Sequence, residues 1–183
     1  MRGLDPLVKN WWLMAIRGVL AILLGITMLV WRTPTFEAII VPFATYALID
    51  GIVAIASAIR AARSLIEGWP IAVEGVVSVA LGGLALVWPF LSHRLLLVLV
   101  AWGILTGVFE IITAMRLPRE LAAHWLVVTA GVSSVFLALL ILVLPHAASN
   151  TVAAWLSAYA IVFGIAILLA ALRFRTAHSH SLR

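Results

Sequence analysis

The sequence predicts an all-α integral membrane protein, with six transmembrane helices arranged as three parallel helical-hairpin repeats. Three observations carry that prediction. First, 65% of the 183 residues are hydrophobic and only 10% are charged, with a mean hydropathy of +1.21. An ordinary soluble domain is about 45–50% apolar and about 25% charged. Second, apolar runs recur along nearly the whole chain, each close to the ~20 residues a helix needs to cross a bilayer. Third, the pattern repeats at intervals of 57 and 56 residues.

The spans follow from the breaks between them. The first, 11–31, follows MRGLDPLVKN and is expected to stay as an uncleaved span, because no small-residue cleavage site follows it. The second, 37–59, begins after Pro34 and ends at Arg60 and Arg63. Glu67 and Gly68 precede the third, 69–88, which has Pro70 in its first turn and Pro89 at its end. The fourth, 94–115, stops before Pro118, and the fifth, 124–144, before Pro145. The sixth, 148–172, runs into the basic tail RFRTAHSHSLR. Segments such as VVSVALGGLALVW are apolar all round, whereas β-barrel strands alternate apolar and polar residues over ~10 positions. The whole chain, 1–183, reads as a single transmembrane domain with repeat units of about 11–63, 69–119 and 124–175.

Basic residues orient the chain. Arg2, Lys9, Arg60, Arg63, Arg116, Arg119, Arg173, Arg175 and Arg183 fall on one side, against Arg32 and Arg94 on the other. Short loops obey the positive-inside rule, so both termini are expected in the cytoplasm. Trp11, Trp12, Trp31, Trp69, Trp88 and Trp125 lie near span ends, where indole rings favour the lipid–water interface. This topology also accounts for the net charge of +5 without a nucleic-acid partner. The partner that composition demands is the lipid bilayer, with a homo-oligomer or another membrane protein as a further possibility.

The repeat is marked residue by residue. Trp12, Trp69 and Trp125 share the spacing, as do Gly18, Gly75 and Gly131, and Gly25, Gly82 and Ala138. In the second helix of each unit, Gly51, Gly107 and Gly164 correspond, followed by Arg60, Arg116 and Arg173. Small residues recur seven apart in the odd spans. In the even spans they recur four apart, as Ala47/Gly51, Gly103/Gly107 and Ala160/Gly164. Such faces let helix backbones approach closely, so these glycines are read as helix-packing positions. Parallel repeats differ from the inverted repeats of many secondary transporters.

Four charges fall inside the spans: Arg17, Asp50, Glu74 and Glu110. At 1.5 Å per residue Asp50 lies about 15 Å from the cytoplasmic end, and Glu110 and Glu74 about 8–9 Å. A charge at the centre of a spanning helix costs ~2.5–3.5 kcal/mol on insertion scales. Arg17 is therefore expected to pair with a carboxylate, with Glu110 first and Glu74 second on depth alone. Two readings stay open for the charges. They are interhelical ties that snorkel toward the interface, or a proton-responsive cluster or pathway in which the deepest group, Asp50, is the leading candidate.

No catalytic or nucleotide-binding motif is present, and the connections are only about ten residues long, so an enzyme and a bound cofactor are not expected. The chain has no cysteine, which excludes disulfides and thiolate sites. His93, His124 and His146 read as interfacial residues, and His178 and His180 as part of the exposed tail.

The three-hairpin pattern, the opening W…RG……G……W, and the segments YALIDGIVAIASAIR and WGILTGVFEIITAMR resemble the HdeD family of bacterial membrane proteins. The third copy departs from the pattern, with Phe163 and Ile167 at the positions of Asp50 and Glu110. The resemblance implies a non-enzymatic inner-membrane protein linked to acid or envelope stress. A small transporter or channel, and a scaffold for other membrane proteins, are the alternatives.

Overall fold

The structure is a computed structural model and describes residues 10–31, 35–61, 69–87, 95–117 and 122–181. Pro34, Glu67, Gly68, Trp88, Pro89, His93 and Pro118 lie outside the described residues. So do Arg2, Lys9, Arg32, Arg63, Ser64, Arg94, Arg119 and Arg183, and the side chains of His178 and His180.

All regular structure among the described residues is α-helical. The elements are α1 (Trp11–Val30), α2 (Phe36–Ala61), α3 (Trp69–Val87), α4 (Leu95–Met115), α5 (Ala122–Val143) and α6 (Ser149–Ser181). Each is long and apolar enough to cross a membrane. The first five lie within three residues of the expected bounds. The sixth continues past residue 172 through the tail, because RFRTAHS contains no glycine or proline to stop it. Thr35 starts α2 by accepting the Ala38 N–H on its hydroxyl oxygen at 3.2 Å. The α5–α6 turn closes on the Ala147 N–H donating to the Leu144 carbonyl at 3.1 Å. Pro42 sits inside α2, where it leaves the Ala38 carbonyl without its usual donor.

The helices form a closed ring in chain order, since α6 packs back on α1. The most extensive contacts are not within hairpins. They join the second helix of one repeat to the first helix of the next: α2 to α3, α4 to α5, and α6 to α1. The glycines explain this. A Cβ on Gly51 would lie 2.6 Å from the Gly75 carbonyl oxygen, and one on Gly75 2.7 Å from that of Gly51. The same reciprocal approach joins Gly107 to Gly131 (2.6 and 2.8 Å) and Gly164 to Gly18 (2.6 and 2.8 Å). Two turns along, Gly25 and Gly82 continue their seams against Ser157 and Ala44, and Gly103, one turn from Gly107, continues the third against Ser134. In lipid, close backbone contact supplies dispersion and weak Cα–H···O attraction where no hydrophobic drive exists.

The outward face is apolar, with Leu29, Val30, Ile52, Leu97, Phe136 and Val143 among its exposed residues. Such a belt suits hydrocarbon and not water. At one end, Arg60 lies over the Trp12 ring at 5.0 Å and Arg116 over the Trp69 ring at 5.4 Å, which are equivalent pairs in the first two repeats. Arg175 lies over Trp11 at 5.1 Å. These cation–π contacts mark this as the basic end of the bundle.

Candidate functional site: a charge cluster on the ring axis

Folding the repeats into a ring brings equivalent positions together at its centre. Arg17, Glu74 and Ala130 are equivalent, as are Asp50, Thr106 and Phe163, and Ala54, Glu110 and Ile167. The four intramembrane charges therefore come from four different helices and meet inside the ring. They are 6% (Arg17), 0% (Asp50), 1% (Glu74) and 2% (Glu110) exposed.

Arg17 is the hub. Its Nε donates to Asp50 Oδ1 at 2.7 Å and its Nη2 to Oδ2 at 3.1 Å, a bidentate pair. Nη2 also donates to Glu74 Oε1. Glu110 Oε1 lies 3.8 Å from the same nitrogen, within ion-pair range but beyond a hydrogen bond. The order of partners differs from the one that depth alone suggests. Asp50 is the direct partner and Glu110 the outermost. Depth along a helix does not say which helices are neighbours around the ring, and α2 stands next to α1 whereas α4 stands across from it.

Glu110 is left in an unusual position. Neither of its carboxylate oxygens has a hydrogen-bond partner, although both are buried. Such groups are rare, because an unpartnered buried polar atom is costly. Thr106 Oγ1, one helical turn away on the same face of α4, is also unpartnered, as is Tyr46 Oη, one turn from Asp50 on α2.

Toward the basic end the cluster borders a cavity of about 40 Å³. Arg17, Glu74 and Glu110 lie in its wall beside Ser57 and Thr113, and Met14, Ile71 and Val127, another equivalent triplet, line it with hydrocarbon. By the ~10–15 Å³ that one water centre needs, it has room for two or three waters.

Toward the other end the axis is filled. Tyr46, Trp102 and Tyr159 are equivalent and form a buried aromatic layer, with Trp102 edge-on to Tyr46 at 6.0 Å and to Tyr159 at 6.1 Å. Trp102 Nε1 donates to Ser78 Oγ at 3.1 Å, and Ser134 Oγ and Tyr159 Oη are 3.0 Å apart. Ser78 and Ser134 are repeat equivalents whose counterpart in the first copy is Ala21, which is why Tyr46 has no such partner. Phe43, Leu99 and Leu156, one turn further, are buried as well.

The sequence reading singled out none of these layer residues, although the 57/56 spacing aligns them once their copies are compared. His124 also differs from an interfacial residue. It is buried, and its Nδ1 lies 2.8 Å from the Ala114 carbonyl oxygen at the end of α4.

This is a six-helix membrane protein built of three hairpin repeats around a central charge cluster. A family model described as a short repeat of unknown function (DUF308) matches it three times, over residues 16–74, 73–143 and 129–182. The chain belongs to the DUF308 repeat family. No curated protein and no solved structure matches it.

Proposed function

We propose that the chain is a non-enzymatic protein of the bacterial inner membrane, of the HdeD kind, which supports tolerance of acid or envelope stress by binding protons at the Arg17–Asp50–Glu74–Glu110 cluster. Both termini and the basic end face the cytoplasm, in keeping with the excess of arginine there. HdeD and this chain share the DUF308 repeat family and the three-hairpin sequence pattern.

The observation that carries the reading is that one guanidinium faces three buried carboxyl groups, with neither oxygen of Glu110 hydrogen-bonded. Full ionisation would leave two uncompensated negative charges inside a low-dielectric ring, so neutrality calls for bound protons or another cation. The charged and titratable groups that act on Glu110 are Arg17 of α1, Asp50 and Tyr46 of α2, Glu74 of α3 and Tyr159 of α6, the last paired with Ser134 of α5. The filled axis beyond Tyr46 and Trp102 favours binding over open conduction. The packing glycines Gly18, Gly51, Gly75, Gly107, Gly131 and Gly164 face other helices of the same chain, which supports a self-contained bundle over a glycine-mediated scaffold.

The test is infrared difference spectroscopy of the purified protein across an acid step, together with survival of bacteria carrying each form. Wild type is expected to show a protonated-carboxyl band that Glu110→Gln removes, and to protect cells where Glu110→Gln does not. Identical spectra and identical survival for the two forms would sink the proposal.

A further inference from the structure

The start of α1 breaks the threefold repeat. Trp11 and Trp12 stand side by side there, whereas the later copies have Gly68 and His124 at the position of Trp11. On α6, Arg175 follows the repeated Arg173 by two residues, and its counterparts are Ala62 and Pro118. The two departures meet. Arg175 lies over the Trp11 ring at 5.1 Å, and Arg60 of α2 lies over the Trp12 ring at 5.0 Å. Guanidiniums from the helices on either side of α1 are therefore held on adjacent indoles.

Both arginines are exposed, and among the described residues neither meets a carboxylate. A cation–π contact engages the charge and gives no N–H donor an oxygen, so each guanidinium keeps donors for a planar, bidentate acceptor. The position fixes the class of that acceptor. Arg60 closes the apolar span Ala38–Arg60, and Trp11 opens the span Trp11–Val30. Both guanidiniums thus stand where hydrocarbon gives way to headgroups, the layer that tryptophan favours. Trp11 packs on the basic-end cluster that contains Ala170 and Phe174 of α6, while Trp12 is 41% exposed. The anion a bilayer supplies at that depth is a phosphate carried on acyl chains. The joint is also the loosest in the ring, since α1 and α2 make the least extensive contact of any neighbouring pair. An anion accepted by Arg60 and Arg175 together would link α2 and α6 across the start of α1.

We infer that the start of α1 is a binding site for the phosphate headgroup of an anionic phospholipid. Arg60 and Arg175 donate to the phosphate, Trp11 and Trp12 set the two guanidiniums, and the exposed face of Trp12 lies against the acyl chains. The site is separate from the charge cluster and stands whether or not that cluster binds protons.

The experiment is titration of the delipidated full chain in detergent micelles, with phosphatidylglycerol and phosphatidylcholine as probes. Native mass spectrometry counts bound lipid, and thermal unfolding reads its effect. Phosphatidylglycerol is expected to bind saturably and to raise the melting temperature, with phosphatidylcholine without effect. Arg60→Gln and Arg175→Gln each remove a hydrogen-bonding charge and are expected to weaken binding about tenfold. Arg173→Gln removes an equal charge at the same end, from a side chain with no ring contact among the described residues, and is expected to bind like wild type. Arg60→Lys keeps the charge without the planar fork, is expected to bind less well than wild type, and gives an answer if a glutamine variant folds poorly. Equal binding of the two lipids, an equal loss in Arg173→Gln, or wild-type binding by both Arg60→Gln and Arg175→Gln would overturn the inference. So would an equal rise with glycerol phosphate, which carries the anion without acyl chains.

Discussion

At the scale of single residues, Arg17 carries the greatest burden. It makes a bidentate pair with Asp50 and a further hydrogen bond to Glu74. Removing one member of a buried ionic group strands the others, a loss of about 3–5 kcal/mol. Arg17→Gln is therefore expected to lower stability by about that amount, whereas Arg17→Lys keeps the charge, loses the planar fork and falls between. Denaturant titration in mixed micelles measures both, and a loss under about 1 kcal/mol for Arg17→Gln would contradict a charge-paired hub. Asp50, which sequence alone marks as the deepest and most exceptional carboxylate, is the best satisfied of the three. Glu110, nearer the basic end, is the unsatisfied one. Hydrogen bonding, not depth, separates the paired carboxylate of Asp50 from that of Glu110, which no donor reaches.

At the scale of helices, the three glycine seams decide which helices touch. The contrast between two glycines of the second repeat makes this measurable. A Cβ at Gly107 would meet the Gly131 carbonyl oxygen at 2.6 Å and Val135 Cγ2 at 2.7 Å, so α4 and α5 would have to separate. At Gly83 the nearest atom is Leu48 Cδ2 at 4.0 Å, which is ordinary contact. Alanine is the better helix former by about 1 kcal/mol, and overpacking costs about 1–3 kcal/mol. Gly107→Ala is expected to be less stable than Gly83→Ala by about 1–3 kcal/mol, read from paired unfolding curves. Equal curves would mean that the seam is looser than its carbonyl contacts indicate.

At the scale of the whole molecule, the ring has two unlike ends. One carries the Arg60–Trp12 and Arg116–Trp69 contacts and opens toward the charge cluster through the cavity. The other is closed over the axis by Phe43, Trp102, Leu99 and Leu156. If the basic end is cytoplasmic, a cysteine at Ser149, at the start of α6, reacts with a membrane-impermeant thiol reagent added to intact cells. One at Ser64, in the α2–α3 connection, reacts only after the membrane is opened. The absence of native cysteine makes the readout clean. The reverse pattern would put the cavity on the outside.

The primary sequence by itself determined the class, the number of crossings and the threefold repeat. These depend on local properties: the length of apolar runs, the prolines between them, and small residues at fixed intervals. It also marked Arg17, Asp50, Glu74 and Glu110, because a charge in an apolar run is conspicuous wherever it ends up. Only the tertiary structure decided that the tight pairs cross hairpin boundaries, that α6 returns to α1, and that Asp50 rather than Glu110 takes the guanidinium fork. It alone exposed the unpartnered oxygens of Glu110 and the aromatic layer of Tyr46, Trp102 and Tyr159. The reason is physical. The rise along a helix follows from residue number, but the neighbour across a ring depends on how six rods pack side by side, and in lipid that is settled by close backbone contact at a few glycines.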